Sequence, residues 1–540
     1  MDESKAELVC REYNEAAGDR ATWEAHWQEI AERCLPAYSN TFSPNTYNTP
    51  GMKKTDKIFD STAQVALGRF SSVVDSLSTP MTQKWHRLRA TNEYLNKQRQ
   101  VREFFEALND ALFKYRYAPK ANFTGQNHEV WQSMGAFGTG VMFTDELRTE
   151  PGLRYKAIHL GELYVFESHQ GIIDKAIRRF SLTARQAVQR WGDKTPKQIK
   201  DAVNKNQRYW FLHRVAPNEE RDPGRYDAKG MEFSSCYVSE TGKAVMEEGG
   251  FGTFPYMTAR YKTLAGEVYG RGPGMDVLPA MKTLNEQKKT VLKQGHRVVD
   301  PVLLVHDDGV LDVSLLPGAI NYGGVNAQGQ RLIHELPTGN IAIGKEMMDD
   351  ERAVINDAFL VTLFQVLVES PQMTATEVLE RTREKGVLLA PTVGRQQSEY
   401  LGPLIEREID VLSRQGLLPP MPPELREAKG EYRIVYDSPL SRAMRAEEAA
   451  GFWRSVEKAG GVANLMQDPS AMDHFDFDVA IPELAEIEAV PLRFLRSMEK
   501  IIAIREGRAE QAQTQTMIDA APAAAGVMKA MSGMQKGVPA

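Results

Sequence analysis

The segment with the strongest catalytic look is Gly339-Asn-Ile-Ala-Ile-Gly344-Lys345-Glu346. Its spacing is that of a phosphate-binding loop, in which glycine-rich backbone wraps an anion at the head of a helix. The last position breaks the chemistry. A hydroxyl is needed there to hold the metal ion that accompanies the phosphates, and Glu346 would put a negative charge beside them. The other reading is a strand-to-helix turn whose acids, Glu346, Asp349 and Asp350, suit the positive end of the helix dipole. Gly270-Arg-Gly-Pro-Gly274 has the wrong glycine spacing for a dinucleotide fingerprint and a proline inside it, so it reads as a tight turn leading into a helix.

Two acidic runs could supply metal ligands, His306-Asp-Asp308 and Asp473-His-Phe-Asp-Phe-Asp478. Asp308-Gly309 is first a turn signal, and the second run alternates polar with apolar, so its acids are expected to face solvent. Neither has a matching ligand cluster to complete a site. The 10 histidines are scattered with no HExxH, and no GxSxG occurs. The 3 cysteines, Cys10, Cys34 and Cys236, show no readable pairing with a histidine. They also exclude a disulfide framework and a four-cysteine zinc site and fit a reducing compartment. No catalytic residue, no metal and no cofactor are therefore expected, and function has to come from the elements themselves.

Those elements belong to a 540-residue chain with 42% hydrophobic and 26% charged residues, enough apolar material for three or four globular units. A net charge of −6 argues against a protein that coats nucleic acid, which needs an excess of Lys and Arg. The N-terminal MDESKAELVC lacks a basic stretch followed by an apolar core, so no secretory signal is expected. The longest apolar run, Ala358 to Val368, is broken by Thr362 and Gln365 and is shorter than the roughly 20 residues a membrane span needs.

The first part of the chain reads as helices. Val101, Phe104, Phe105, Leu108, Ala111, Leu112 and Tyr115 recur at three and four, as do Val65, Ala66, Phe70, Val73, Val74 and Leu77, with Asp60 or Ser61 as N-cap. From Gly140 to Tyr261 short β-branched and aromatic runs (153–158, 163–166, 209–215, 235–238), separated by turn residues, predict antiparallel strands around one helical insert, Thr183 to Trp191. This mostly β domain should rest on the N-terminal helices. Residues 275–298 predict a helix about 35 Å long, followed by a Gly-rich strand-and-turn segment and a second long helix, Lys345 to Val368. After the break Glu369-Ser-Pro-Gln-Met373, Thr374-Ala-Thr-Glu377 is a capping box that opens a helical stretch to Gln415, interrupted near Pro391 and Gly394. A strand at Tyr432–Tyr436 precedes helices over most of 440–510, and the last 30 residues have few large apolar groups and are expected to be mobile.

The two long helices differ in charge. The first carries Lys282, Lys288, Lys289, Lys293 and Arg297 against Asp276 and Glu286, a net of +3. The second carries Lys345 and Arg352 against Glu346, Asp349, Asp350, Glu351 and Asp357, a net of −3. A charge run is by default a solvated face. The other reading is that the helices pack together, within a chain or between neighbouring copies, with complementary charge.

Several weak motifs occur in a telling order. They are Ala63–Met81 (AQVALGRFSSVVDSLSTPM) with Trp85-His-Arg-Leu88, Gly135–Phe143 (GAFGTGVMF), Glu267-Val-Tyr-Gly-Arg271 ahead of the first long helix, the Thr374 capping box and the Met/Gln/Ala-rich tail. In this order the chain resembles the portal proteins of tailed bacteriophages, the head-to-tail connectors, above all those of short-tailed, T7-like phages. The resemblance covers nearly the whole chain.

It implies an α+β portal fold with long stem helices, a β-rich wing, a small α/β clip and a helical crown. By position, 1–271 would be wing, 272–298 the first stem helix, 299–343 the clip and 344–368 the second stem helix. Residues 369–373 would be the tunnel loop, 374–437 the long wing helix and strand, 438–510 the crown and 511–540 a flexible tail. The resemblance also implies a homo-oligomeric ring of about twelve subunits around double-stranded DNA. Its partners would be the terminase large subunit, a tail adaptor protein and the major capsid and scaffolding proteins. It would sit at the portal vertex of the virion after assembly in the host cytoplasm, with no membrane. The DNA-channel candidates are Lys282, Lys288, Lys289, Lys293 and Arg297 on the stem and Gln372 and Met373 in the tunnel loop. They are few because a channel that lets DNA slide should contact phosphate sparingly. The rivals are another structural virion component, internal or in the tail, and a packaging ATPase using Gly339–Lys345. The latter lacks an apolar strand ending in paired acids to hold the metal and activate water.

Overall fold

The structure is a computed structural model that describes residues 4–42, 51–148, 150–225, 227–305, 313–337, 341–362, 392–427, 430–437, 439–466, 469–487, 494, 496 and 500–511. In chain order the helices α1 to α11 are Lys5–Asp19, Ala21–Cys34, Thr62–Ser78, Glu93–Lys97, Arg99–Arg116, Phe123–Phe137, Ala184–Trp191, Lys197–Lys200, Pro273–Asp276, Leu278–Val299 and Ile341–Ala358. Helices α12 to α15 are Gly402–Arg414, Pro423–Glu427, Pro439–Met466 and Phe477–Ile487. Strands β1 to β12 are His86–Ala90, Thr139–Glu146, Leu153–Ile158, Leu163–Glu167, Ile173–Thr183, Arg208–Pro217, Phe233–Ser239, Ala244–Phe251, Tyr256–Arg260, Leu303–Val305, Ile333–Glu335 and Tyr432–Tyr436. The mixture of helix and sheet is the α+β class expected. The chain divides into two compact units, one of Met1–Leu88, Glu106–Pro420 and 438–440, the other of Arg89–Phe105, Met421–Asp437 and Ser441–Ala540.

In the larger unit the expected antiparallel strands form a five-stranded sheet of order β4-β5-β6-β7-β8. Neighbouring residues of a strand point to opposite faces, and β6 shows the result. Leu212 joins Ala6, Val9, Tyr13 and Ala16 of α1 in one cluster, whereas Phe211 joins Ala184, Ala187 and Trp191 of α7 in another. The sheet is thus covered by α1 on one face, as expected of a β domain resting on N-terminal helices, and by α7 and α8 on the other. Thr183 caps α7 through a box with Gln186, which fixes the helical insert where the sequence predicts it. A second sheet, β3-β2-β9, carries α6 against it. His213 of β6 ties the two sheets, with Nδ1 2.6 Å from the Tyr256 hydroxyl and Nε2 3.0 Å from Ser235 Oγ. Burial pushes its pKa well down, so it is neutral.

The structure decides one alternative of the sequence reading and changes three further details. The Asp60 carboxylate, not the Ser61 hydroxyl, accepts the Thr62 N–H at the head of α3. The first long helix is preceded by the separate short turn α9 and starts at Leu278, because Pro279 belongs in a helical first turn. The helix read over Lys345–Val368 starts earlier, at Ile341, and is broken after Ala358, where Leu360 takes a φ of 58° that a right-handed helix cannot hold; Val361 and Thr362 are helical again, and 363–368 lie outside the described residues. Gly394 does not interrupt its helix; the irregularity lies just after it, as a π-turn over Gln397–Leu401 that carries Tyr400 to the Asn127 side chain. Pro391, the break 369–373, the Thr374 capping box, His306–Asp308 and the last 29 residues lie outside the described residues.

In the smaller unit Asn92 caps α4 by accepting the Tyr94 N–H, and Thr91 N–H donates to the Glu431 carbonyl beside β12. Phe452 of α14 meets Phe475 and Phe477, and Arg505 pairs with Asp478 at 2.5 Å. Asp476 accepts the N–H groups of Asp478 and Val479. Asp476 and Asp478 of the 473–478 run are therefore engaged in a helix start and an ion pair. Among the described residues no three His, Cys, Asp or Glu side chains converge on a metal site.

Candidate nucleic-acid interface

Two glycine-rich stretches seat the first long helix. Gly138 ends α6 at a φ of 77°, and a Cβ there would lie 2.2 Å from the Gly270 carbonyl oxygen. A Cβ on Gly270 would in turn lie 2.4 Å from the Gly138 oxygen, and one on Gly272 2.7 Å from the Gly138 nitrogen. The GRGPG segment is thus a turn, as read, but its glycines exist to let two backbones touch. Gly270 N–H donates to Thr139 Oγ1 across the same contact at 2.8 Å.

From that seat α10 runs out and α11 returns against it. A Cβ on Gly344 would lie 2.7 Å from Val291 Cγ2, so this glycine is a point of close helix packing. Residues Ile341 to Gly344 are already wound into α11 and do not form the loop a phosphate cradle requires. Nearer the seat of α10 both helices grip one segment. Asn285 of α10 accepts the N–H groups of Phe59 (2.9 Å) and Asp60 (3.2 Å), while Arg352 of α11 donates to the Asp60 carboxylate at 2.6 Å. Burial of Asp60 opposes its charge, but hydrogen bonds from Thr62 and Arg352 outweigh that and hold its pKa low. No sequence signal marked this joint; the partners are more than two hundred residues apart.

The basic candidates separate into two sets. Lys282, Lys289, Lys293 and Arg297 share one helical stripe, whereas Lys288 lies off it and is half-buried. Lys282 pairs with Glu29 at 3.2 Å and Lys289 with Glu286 at 3.5 Å. Lys288, Lys293 and Arg297 make no ion pair among the described residues. Gln372 and Met373 lie outside those residues.

A cavity of about 110 Å³ is lined by Tyr38, Glu129, Lys156, His159 and Glu162 among others. It is small beside the roughly 300–1,000 Å³ of ordinary ligand pockets. Burial pushes His159 down to about 4, and its Nδ1 accepts the Gly161 N–H, so the ring is a neutral wall group stacked on Tyr38.

The sequence matches the family described as bacteriophage head to tail connecting protein over residues 6–495. It is 28% identical to the portal protein of Salmonella phage epsilon15, an alignment that covers 100% of this chain and 97% of that protein. It is 26% identical to the probable portal protein of Bordetella phage BPP-1, covering 95% of this chain and 92% of the relative.

Proposed function

The chain belongs to the bacteriophage head to tail connecting protein family, and from that membership we propose that it is a phage portal. Its copies form a ring of about twelve at one capsid vertex, closed by head-to-tail contacts. The genome passes through this ring during packaging and ejection. The observation that carries the reading is a match that runs through almost the entire chain rather than through one module. The portal does no covalent chemistry. It docks the terminase large subunit while the head fills and a tail adaptor afterwards, and it meets the major capsid and scaffolding proteins at the vertex.

Within the ring, 1–271 serve as wing, 272–298 and 344–368 as stem, 299–343 as clip, 374–437 as the returning wing helix and strand, 438–510 as crown and 511–540 as tail. Residues 369–373 are the constriction. Their chemistry suits a sliding contact: Gln372 touches phosphate without holding it, and Met373 is a flexible apolar filler. Net negative charge on each copy keeps bulk attraction to DNA low.

This assignment has a direct test. A Gln372→Lys, Met373→Lys double variant should still form rings, yet DNA packaging should be slowed and less complete. Each subunit adds two phosphate contacts, and each contact adds salt-dependent affinity. Raised salt in an in vitro packaging assay should relieve part of the defect. Capsids filled at the wild-type rate and to the wild-type extent would show that this loop is not the constriction.

A further inference from the structure

The α10–α11 pair carries its charge on its two outer flanks. In α10, Lys282, Glu286, Lys289, Lys293 and Arg297 follow one another at helical steps of three and four. Lys289 and Lys293 each stand two residues from Val291, the residue that meets Gly344. Two residues turn a helix by about 200°, so the basic stripe points away from α11. The same relation recurs in α11. Gly344 packs on Val291, Met348 and Ile355 are buried, and Arg352 holds Asp60. Glu346, Asp350 and Asp357 each stand two residues beyond Gly344, Met348 and Ile355, so the acidic stripe points away from α10 by the same half-turn.

The two stripes are therefore complementary but back to back. Lys293, Arg297, Glu346, Asp350 and Asp357 are exposed and make no ion pair among the described residues, and none joins α10 to α11 there. One hairpin cannot satisfy both flanks. A second hairpin laid beside it in the same orientation can, because its acidic flank then faces the first one's basic flank. That contact is heterologous and repeats from copy to copy. Ile343, Met347 and Val354, exposed by 57%, 51% and 52%, run alongside the acidic stripe and would be covered by the same contact. Single surface ion pairs add little affinity, so the charges set partner and register while the apolar groups supply the buried area.

We propose that Lys289, Lys293 and Arg297 of α10 dock on Glu346, Asp350 and Asp357 of α11 in a second copy of this chain, so that these cations hold a neighbouring subunit rather than DNA phosphate. The proposal rests on the ring reading above and assigns the surface that closes the ring.

Two variants test it, Lys293→Glu with Arg297→Glu, and Glu346→Lys with Asp350→Lys. The first has two acidic flanks, the second two basic ones. Each alone should elute at monomer size at a concentration where the wild-type chain elutes as a ring, with unchanged circular dichroism. Mixed in equal amounts they should recover ring-sized particles in which the two alternate. If the first variant forms rings alone and loses only DNA retention, the cations face the channel and the proposal falls. Failure of the mixture to assemble also overturns it. A wild-type chain that stays monomeric would remove the ring reading itself, a result distinct from either of these.

Discussion

Glu408→Ala should lower the stability of the larger unit by about 3–5 kcal/mol. Arg116 and Glu408 are both fully buried, with Arg116 Nε 2.9 Å from Glu408 Oε1 and Nη2 2.5 Å from Oε2. The Tyr155 hydroxyl donates to the same carboxylate at 2.6 Å, and the guanidinium lies over the Trp85 ring at 4.6 Å. Burial works against the Arg116 charge, and Glu408 more than restores it, so the pKa is raised. Without the carboxylate an unpaired guanidinium stays in the core and Tyr155 loses its acceptor. Glu408→Gln keeps an acceptor and should cost less. Arg116→Met combined with Glu408→Met should regain much of the loss, because neither charge is then stranded. Denaturant midpoints of the four proteins decide the matter. A Glu408→Ala midpoint equal to wild type would mean that the pair is not the buried contact described.

Gly138→Ala should cost about 2–5 kcal/mol, from a left-handed conformation that disfavours a Cβ and from a forced clash. The Cβ would meet the Gly270 carbonyl, and the backbone on both sides is pinned: Tyr261 N–H donates to the Gly138 oxygen at 2.9 Å, and Gly138 N–H to the Met134 oxygen at 2.9 Å. The contact cannot open without moving the start of α10, so assembly should suffer along with stability. Gly295→Ala is the control. It sits inside α10 with nothing within 4 Å of its Cβ position, and alanine there should stabilise the helix by up to about 1 kcal/mol. Thermal unfolding that shifts the two variants in the same direction would contradict this account of the glycines.

The strands were legible because their signal is local. Residues 153–158 and 432–436 carry the right residue types between turn residues, and both ends match the sequence reading. The helix ends were less legible. Nothing in Lys345–Val368 announces that Leu360 leaves the helix, since its apolar pattern continues through the break. The glycines of 135–140 and 270–274 were visible as turn formers, but their mutual contact joins segments more than a hundred residues apart. Arg116 and Glu408 are farther apart still, and each alone reads as an ordinary surface residue. The charge of the two long helices was legible as a sum. The direction each stripe faces was not, because contacts distant in sequence fix it, among them Val291 against Gly344.

Imaging of the purified protein tests whether copies of this chain close into a portal ring. Negatively stained particles at micromolar concentration and physiological salt should show end-on views of a closed ring of about twelve subunits with a central channel, the form that repeated heterologous contacts take when their rotation closes. A population of monomers that persists under those conditions, with no ring views, would contradict it.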